Sequence, residues 1–531
     1  MKKLLFYFLL TIPLPLSAES MNNEMTSTAV DTTGKETQIL TKEIETPTIE
    51  FTKLSEVLSS FIKFNDNTFQ YSLHSKKSSG SISIDTYVFN SQKWPLDKHR
   101  DIPSTIWKHK LVLYIPSKIE YSKVLLYVAG GQTYDDDGVE LNFAPPKEFM
   151  DYKEIALKNN AIVAELQDVP NQHLKMGDSW IKEDAYLAYT YKKFLENPLN
   201  NAYLPGHLPM AKAVVKAMDV IQHLVNESTP GTNPHFVLAG ASKRAWAVWL
   251  ASLEDKRVDA IIPIVLDVLN TQQSILHICQ IHKGCPYALK DYKDADLIKK
   301  IPSDTFADLM KIEDPFMYLG MDYDRKYKER LSIPKLLIQA SGDDFFVPDS
   351  SHFYFKQLPG KQNYIRYLPN SLHYFMGNPI SDSTNSRKSI QKALENYFGF
   401  HLKQTELPSL EWKHEKNMIE IQSSVTPSKV LLWTAFNENQ DFRYLQYHFQ
   451  PYLWWKKLQS FFTKKLCNTC YESQELKPTC TSTETCKIEA KLLPSPTPTW
   501  RASFVEVFYE IDGSEFVISS EVFIDSLSSK Q

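Results

Sequence analysis

The chain has 531 residues, 43% of them hydrophobic and 23% charged, with a formal net charge of −4. That length exceeds one hydrophobic core and predicts two or three domains, and the weak negative balance gives no electrostatic case for nucleic-acid binding. Glycine is scarce, 16 residues in all, so those present are expected where the backbone needs them.

The N-terminus reads as an export signal over residues 1–20. Lys2 and Lys3 precede an apolar run from Leu4 to Leu16, which Pro13 and Pro15 interrupt and which is too short to span a bilayer. An uncleaved anchor is the competing reading. No later stretch is long and apolar enough for a membrane helix, so no stable span is expected after signal cleavage. Residues 21–50, rich in Thr, Glu, Ser and Lys, read as a disordered linker.

Between residues 51 and 404 strands and helices alternate. Strands are expected at 81–88, 110–116, 123–129, 161–166, 235–239, 258–266, 333–340 and 364–368. Helices are expected at 151–159, 183–195, 210–225 and 383–398, the third carrying Val214, Val215, Met218, Ile221 and Leu224 at helical spacing. Such alternation predicts an α/β fold, a mostly parallel sheet with helices on both faces, whose site lies beyond the carboxyl ends of the strands. The stretch from Cys279 to about Gly320 is long enough to form a lid. From residue 405 to 531 short strands at 418–422, 429–434, 502–509 and 515–518 predict a small all-β domain, with a Cys-rich insertion at about 452–498.

Cys279 and Cys285 are close in sequence, and Cys467, Cys470, Cys480 and Cys486 form a second cluster. An even number in an exported chain predicts disulfides, with pairing among the four left open. Five residues separate Cys480 from Cys486, poor spacing for a zinc knuckle, and no metal or other cofactor is expected.

The chemistry centres on Val237-Leu-Ala-Gly-Ala-Ser242-Lys-Arg-Ala-Trp246. A strand that ends in Gly-x-Ser and runs at once into a helix exposes the serine hydroxyl on a tight turn, although the same pattern can be only a turn and a helix cap. Downstream, in the order Ser, acid, His, come Ser341-Gly-Asp-Asp344 and Leu368-Pro-Asn-Ser-Leu-His373, each just past a strand. A serine needs a histidine to take its proton, and the histidine needs a carboxylate to fix its tautomer. Ser242, Asp344 and His373 are therefore the predicted triad. Asp343 is the nearest rival acid, since a one-residue shift exchanges the two, and Asp267 is a weaker one with a structural reading. His352, in an expected helix, and His401, after the terminal helix, are read as structural or exposed.

The oxyanion hole is assigned to backbone N–H groups of Lys243 and of Gly130-Gly131, next to Gln132, though the double glycine also suits a plain turn. Lys243 and Arg244 set two cations beside the nucleophile. They are read as oxyanion or acidic-substrate ligands, Arg244 as substrate-binding, with internal salt bridges as the alternative. Locally this serine motif, with a basic residue after the serine, resembles that of glucuronoyl esterases.

A broader resemblance rests on Val169-Pro-Asn-Gln172, Glu183-Asp-Ala185, Leu208-Pro-Met210, Gly240-Ala-Ser-Lys-Arg244, Ile262-Pro-Ile-Val265 with Asp267-Val-Leu-Asn270, and Ser341-Gly-Asp-Asp-Phe-Phe-Val-Pro-Asp-Ser350. Together these resemble the PhoPQ-activated pathogenicity-related protein family, which includes the autocrine proliferation repressor proteins. The resemblance implies an α/β-hydrolase-like fold with a C-terminal β region, export to the periplasm or outside the cell, and links to virulence or growth restraint. That family usually has Gly where this chain has Ala245. The expected function is an exported serine hydrolase, most simply an esterase, acting on small-molecule, glycan, lipid or peptide esters, with amidase or peptidase action open. The alternative is an exported binding or signalling protein on a hydrolase scaffold. In that case a protein partner would meet the β domain or Trp454-Trp455, residues otherwise read as core packing.

Overall fold

The computed structural model describes residues 51–96, 99, 101–141, 150–320, 323–374, 383–443, 469–480, 485–494 and 499–527. The signal and linker readings, Cys467 and the Trp454-Trp455 segment lie outside these. Among the described residues no helix is long and apolar enough to cross a membrane.

The chain order begins with a short helix, α1 (Val57–Lys63), and three antiparallel strands, β1 (Gln70–Ser79), β2 (Ile82–Trp94) and β3 (Thr105–Pro116). There follow β4 (Val124–Val128), α2 (Tyr152–Asn159), β5 (Val163–Leu166) and a hairpin, β6 (Leu174–Met176) and β7 (Ser179–Ile181). Next come α3 (Glu183–Glu196), α4 (His207–Ser228), β8 (Phe236–Ala241), α5 (Lys243–Glu254) and β9 (Val258–Ile264). Four helices, α6 (Thr271–Ile281), α7 (Lys290–Asp294), α8 (Asp304–Glu313) and α9 (Arg325–Leu331), precede β10 (Lys335–Ala340), β11 (Asn363–Leu368) and α10 (Ser383–Lys403).

These strands form one nine-stranded sheet in the order β1-β2-β3-β5-β4-β8-β9-β10-β11, parallel from β5 to β11. Its central strands are buried on both faces, which is why they read as continuous apolar runs rather than alternating ones. In β4, Val124, Leu126 and Val128 face the core under α1, α4 and α5, while Leu125 and Tyr127 face the core under α2 and α10. The expected mostly parallel sheet with helices on both faces is what the chain forms. Strand β1, whose residues are largely exposed, has no apolar alternation for a sequence reading to find.

Beyond α10 the chain is entirely β among the described residues. A four-stranded sheet contains β12 (Leu410–Glu415), β13 (Met418–Ser423), β16 (Thr479–Cys480) and β17 (Cys486–Lys491). A five-stranded sheet contains β14 (Lys429–Asn437), β15 (Glu472–Glu475), β18 (Thr499–Ile511), β19 (Ser514–Ser519) and β20 (Phe523–Leu527). This region is not a separate body. Ile49–Gln531 is one compact unit, because Ile419, Val430 and Val505 share a core with Ile390 and Leu394 of α10. The Tyr367 N–H also donates to the Ser519 hydroxyl at 3.0 Å, tying β11 to β19.

Cys279 pairs with Cys285 and Cys480 with Cys486 in disulfides. Cys470 is also disulfide-bonded.

Candidate active site

Ser242 sits between β8 and α5 with φ 55° and ψ −128°, a strained backbone conformation that projects its side chain from a sharp turn. The turn needs Gly240. A Cβ there would lie 2.9 Å from the Arg244 carbonyl oxygen, so the start of α5 can approach the strand end only over a bare backbone.

His373 follows β11. Its Nε2 lies 2.9 Å from Ser242 Oγ, and its Nδ1 lies 2.9 Å from Asp343 Oδ2. The structure thus corrects the predicted acid: Asp343, not Asp344, meets the histidine. Asp343 Oδ1 accepts the N–H groups of Phe345 (2.7 Å) and Phe346 (3.0 Å), which turns Oδ2 towards the imidazole. Asp344 Oδ1 is buried without a hydrogen-bond partner. Desolvation, reinforced by the adjacent Asp343 charge, pushes the Asp344 carboxyl up to about 6. Asp267 does not reach His373 either. It accepts hydrogen bonds from Tyr354 (2.8 Å) and Tyr367 (2.5 Å), and burial raises its pKa well above the usual carboxylate range. His352 lies in the short 3-10 turn Ser350–Phe353, and His401 lies in the last turn of α10 rather than beyond it.

The loops that carry Asp343 and His373 are laced together. Gly342 N–H donates to Ser371 O at 3.1 Å, and Asn370 N–H to Ser341 Oγ at 3.0 Å. Phe345 packs on the His373 ring with centroids 4.4 Å apart. Burial alone would lower the His373 pKa. The Asp343 carboxylate outweighs it, with help from Asp344, and the net shift is upward.

Gly130 and Gly131 follow β4 beside this centre. A Cβ on Gly131 would lie 2.0 Å from Asp168 Oδ1, so only glycine fits. The Gln132 N–H is engaged by Asp168. The Arg244 reading is corrected: its guanidinium is committed inside the protein rather than free for substrate. Nε donates to Val169 O at 2.7 Å and Nη2 to Glu183 Oε1 at 2.6 Å. Gln172 Nε2 donates to both Glu183 Oε1 (2.7 Å) and Gly131 O (2.8 Å). Arg244 is therefore linked to the glycine loop through Glu183 and Gln172. The Lys243 ammonium pairs with Glu183 (3.0 Å) and Asp184 (3.1 Å). Burial would raise the Glu183 pKa, but Arg244 and Lys243 prevail and hold it well below the ordinary value. Two adjacent cations inside a fold require acids beside them, and the partly buried Glu183-Asp184 pair, already prominent in the sequence, was the available signal.

Ser242 opens on a cavity of about 70 Å3 under the helices that connect β9 to β10. Its walls are chiefly apolar, with Leu266, Ile275, Ile278, Ile298, Phe306 and Phe346 among them. The stretch read as a lid is thus a helical cap over the serine. Sequence reasoning missed His207 of α4, which also lines this cavity.

The fold and this elbow define an α/β-hydrolase-like protein. The chain belongs to the PhoPQ-activated pathogenicity-related protein family, whose model matches residues 58–443. It is 28% identical over 477 residues to autocrine proliferation repressor protein A of Dictyostelium discoideum, covering 86% of each chain. Among solved structures it is similar to an acetyl xylan esterase from Paenibacillus sp. R4 (13% identity, 65% of this chain and 96% of that one, TM-score 0.41). It is also similar to a glucuronoyl esterase from Solibacter usitatus (12% identity, 56% and 76%, TM-score 0.33).

Proposed function

We propose that the protein is a serine hydrolase of carboxylic esters, with Ser242 as nucleophile, His373 as general base and acid, and Asp343 as the carboxylate that orients it. The observation that carries this reading is the unbroken hydrogen-bond relay from Ser242 Oγ through His373 to Asp343, both links at 2.9 Å, at a strained strand-to-helix turn. Ser242 Oγ attacks the acyl carbon as His373 Nε2 takes its proton. Asp343 keeps the Nδ1 proton in place and balances the imidazolium charge. The amide N–H groups of Lys243 and Gly131 serve the developing oxyanion. His373 returns its proton to the departing alcohol. It then activates water to release the acyl group and regenerate the serine hydroxyl.

The cavity sets the acyl size. An engineered apolar cavity of about 150 Å3 takes benzene, so this one suits a chain of roughly three or four heavy atoms. We also infer export, from the basic-then-apolar N-terminus and from disulfides that persist in oxidising compartments. The family's name motivates a role in virulence.

The test is labelling of the full mature chain by a fluorophosphonate. Wild type is expected to label, and Ser242→Ala and His373→Ala are expected to lose the label. Absence of labelling in folded wild-type protein would turn the reading towards a binding protein on a hydrolase scaffold.

A further inference from the structure

His373 is buried, as are Ser371 and Leu372 before it, but the next residue, Tyr374, is 54% exposed. Its ring packs edge-to-face on the His373 imidazole, with centroids 5.4 Å apart, and on the Phe345 ring at 6.0 Å. An exposed tyrosine is ordinary in itself; its place beside the base distinguishes this one. Phe345 also packs on His373 and lines the apolar cavity beside Ser242, whereas Tyr374 is not part of that wall. Phe345 therefore divides two spaces around the triad. The cavity lies on one side, and the solvent-facing Tyr374 ring on the other.

Each space has an occupant in the reaction. With the acyl chain in the cavity, the alcohol half of the ester leaves on the open side, where its oxygen takes the proton from His373 Nε2. Substituents a few bonds from that oxygen come against the ring that packs on His373. The charge at this place is negative. Burial raises the Tyr374 pKa, and the carboxylates of Asp184, Asp344, Glu183 and Asp343 add to the rise, so all four act on its hydroxyl. Lys243 pairs with Glu183 and Asp184, Arg244 with Glu183, and Arg443 with Asp441. Asp343 and Asp344 are left to set the sign. An exposed aromatic ring in a negative field attracts a cation, because the ring quadrupole and the carboxylates act in the same sense.

We propose that Tyr374 is a specificity-determining residue at the mouth of the site, and that the ester carries a cationic alcohol, an alkylammonium, bound by the Tyr374 ring and the neighbouring carboxylates. The inference rests on the serine-hydrolase reading, because the leaving alcohol is what brings the cation to Tyr374. The two remain separately testable. The positive nitrogen takes no part in bond making: ester and water give a short carboxylic acid and the amino alcohol, with the charge on nitrogen unchanged throughout. A methylated ammonium is less strongly hydrated than a primary one, so a quaternary nitrogen suits a half-exposed ring best.

The test compares two acetate esters of the same shape on the full mature chain at pH 8: acetylcholine, and 3,3-dimethylbutyl acetate, which has carbon in place of the nitrogen. Each kcat/KM is divided by the rate constant of the same ester with hydroxide, which removes their difference in intrinsic reactivity. The cationic ester is then expected to be favoured about tenfold or more, and less so at high salt. Tyr374→Leu is expected to bring the ratio within about threefold, and Tyr374→Phe, which keeps the π face, to retain it. Because Tyr374 adjoins the base, the ratio is the readout: a general disturbance of His373 slows both esters alike. Equal turnover of the two, a preference for the neutral ester, or a preference that survives Tyr374→Leu would overturn the proposal. Calorimetric titration of Ser242→Ala protein reports separately. Choline is expected to bind more tightly than 3,3-dimethylbutan-1-ol, and adding Tyr374→Leu is expected to abolish the difference. That result without turnover of either ester would sink the hydrolase reading and leave the cation site standing, while neither turnover nor choline binding would overturn both.

Discussion

Asp343 Oδ2 lies 2.9 Å from Nδ1 of His373, while the next residue, Asp344, buries an oxygen that meets nothing. Two identical side chains one position apart thus sit in different electrostatic settings. Asp343→Asn is expected to lower kcat on a short-chain ester by about 10⁴, because it stabilises the wrong imidazole tautomer. Asp344→Asn is expected to stay within about tenfold of wild type. A comparison of the two variants decides the assignment: a larger loss in Asp344→Asn would reverse it.

The pH profile follows from the same neighbours. His373 must be neutral to take the serine proton, and its pKa is raised, so activity is present at high pH and lost as pH falls through that raised value. The acid limb of kcat/KM is expected above pH 6.5. Asp344→Asn removes one of the charges that raise the His373 pKa and is expected to move the limb to lower pH. An acid limb below pH 6 in wild type would contradict this account of the imidazole.

Arg244 acts through Glu183 and Gln172 on the glycine loop, without reaching the reacting atoms. Arg244→Met is expected to cut kcat roughly ten- to hundredfold with KM little changed, since small displacements of oxyanion donors are costly. Arg244→Lys is expected to fail as a rescue, because a lysine lacks the forked donor that spans Val169 and Glu183. An increase in KM at constant kcat would instead indicate direct substrate binding.

Lys335, fully buried at the start of β10, donates to Asn363 Oδ1 at 2.5 Å, and burial lowers its pKa to about 7. In the unfolded chain a lysine titrates near 10.4. Between those values the unfolded state binds more protons, so stability rises with pH across that window and the cost is fully present below pH 7. The stability of wild type relative to Lys335→Met is expected to rise by about 1.4 kcal/mol per pH unit between pH 7 and 9. Denaturation midpoints measured across that range check this, and a flat difference would rule it out.

What the sequence discloses is what neighbouring residues decide. Ser242 is legible because strand, Gly-x-Ser and helix are contiguous, and His373 because it follows a buried strand at a short interval. The choice between Asp343 and Asp344 depends on which carboxylate the N–H groups of Phe345 and Phe346 capture, a property of a turn rather than of residue type. The partners that commit Arg244 are 61 and 75 residues away, beyond any local pattern. Strand β1 takes its register from β2 and not from its own polar residues. The single body formed with the β region follows from packing on α10, which composition alone does not reveal.

The clasp between Tyr367 and Ser519 ties the candidate site to the C-terminal β region. Strand β11 delivers the loop bearing His373, and that loop is gripped again where Asn370 exchanges two hydrogen bonds with the Tyr471 backbone. A nonsense mutation or proteolytic nick near residue 513 would leave Ser242, Asp343 and His373 all in the chain. It would sever β19, whose Ser519 braces the strand that leads to His373, from the rest of the chain.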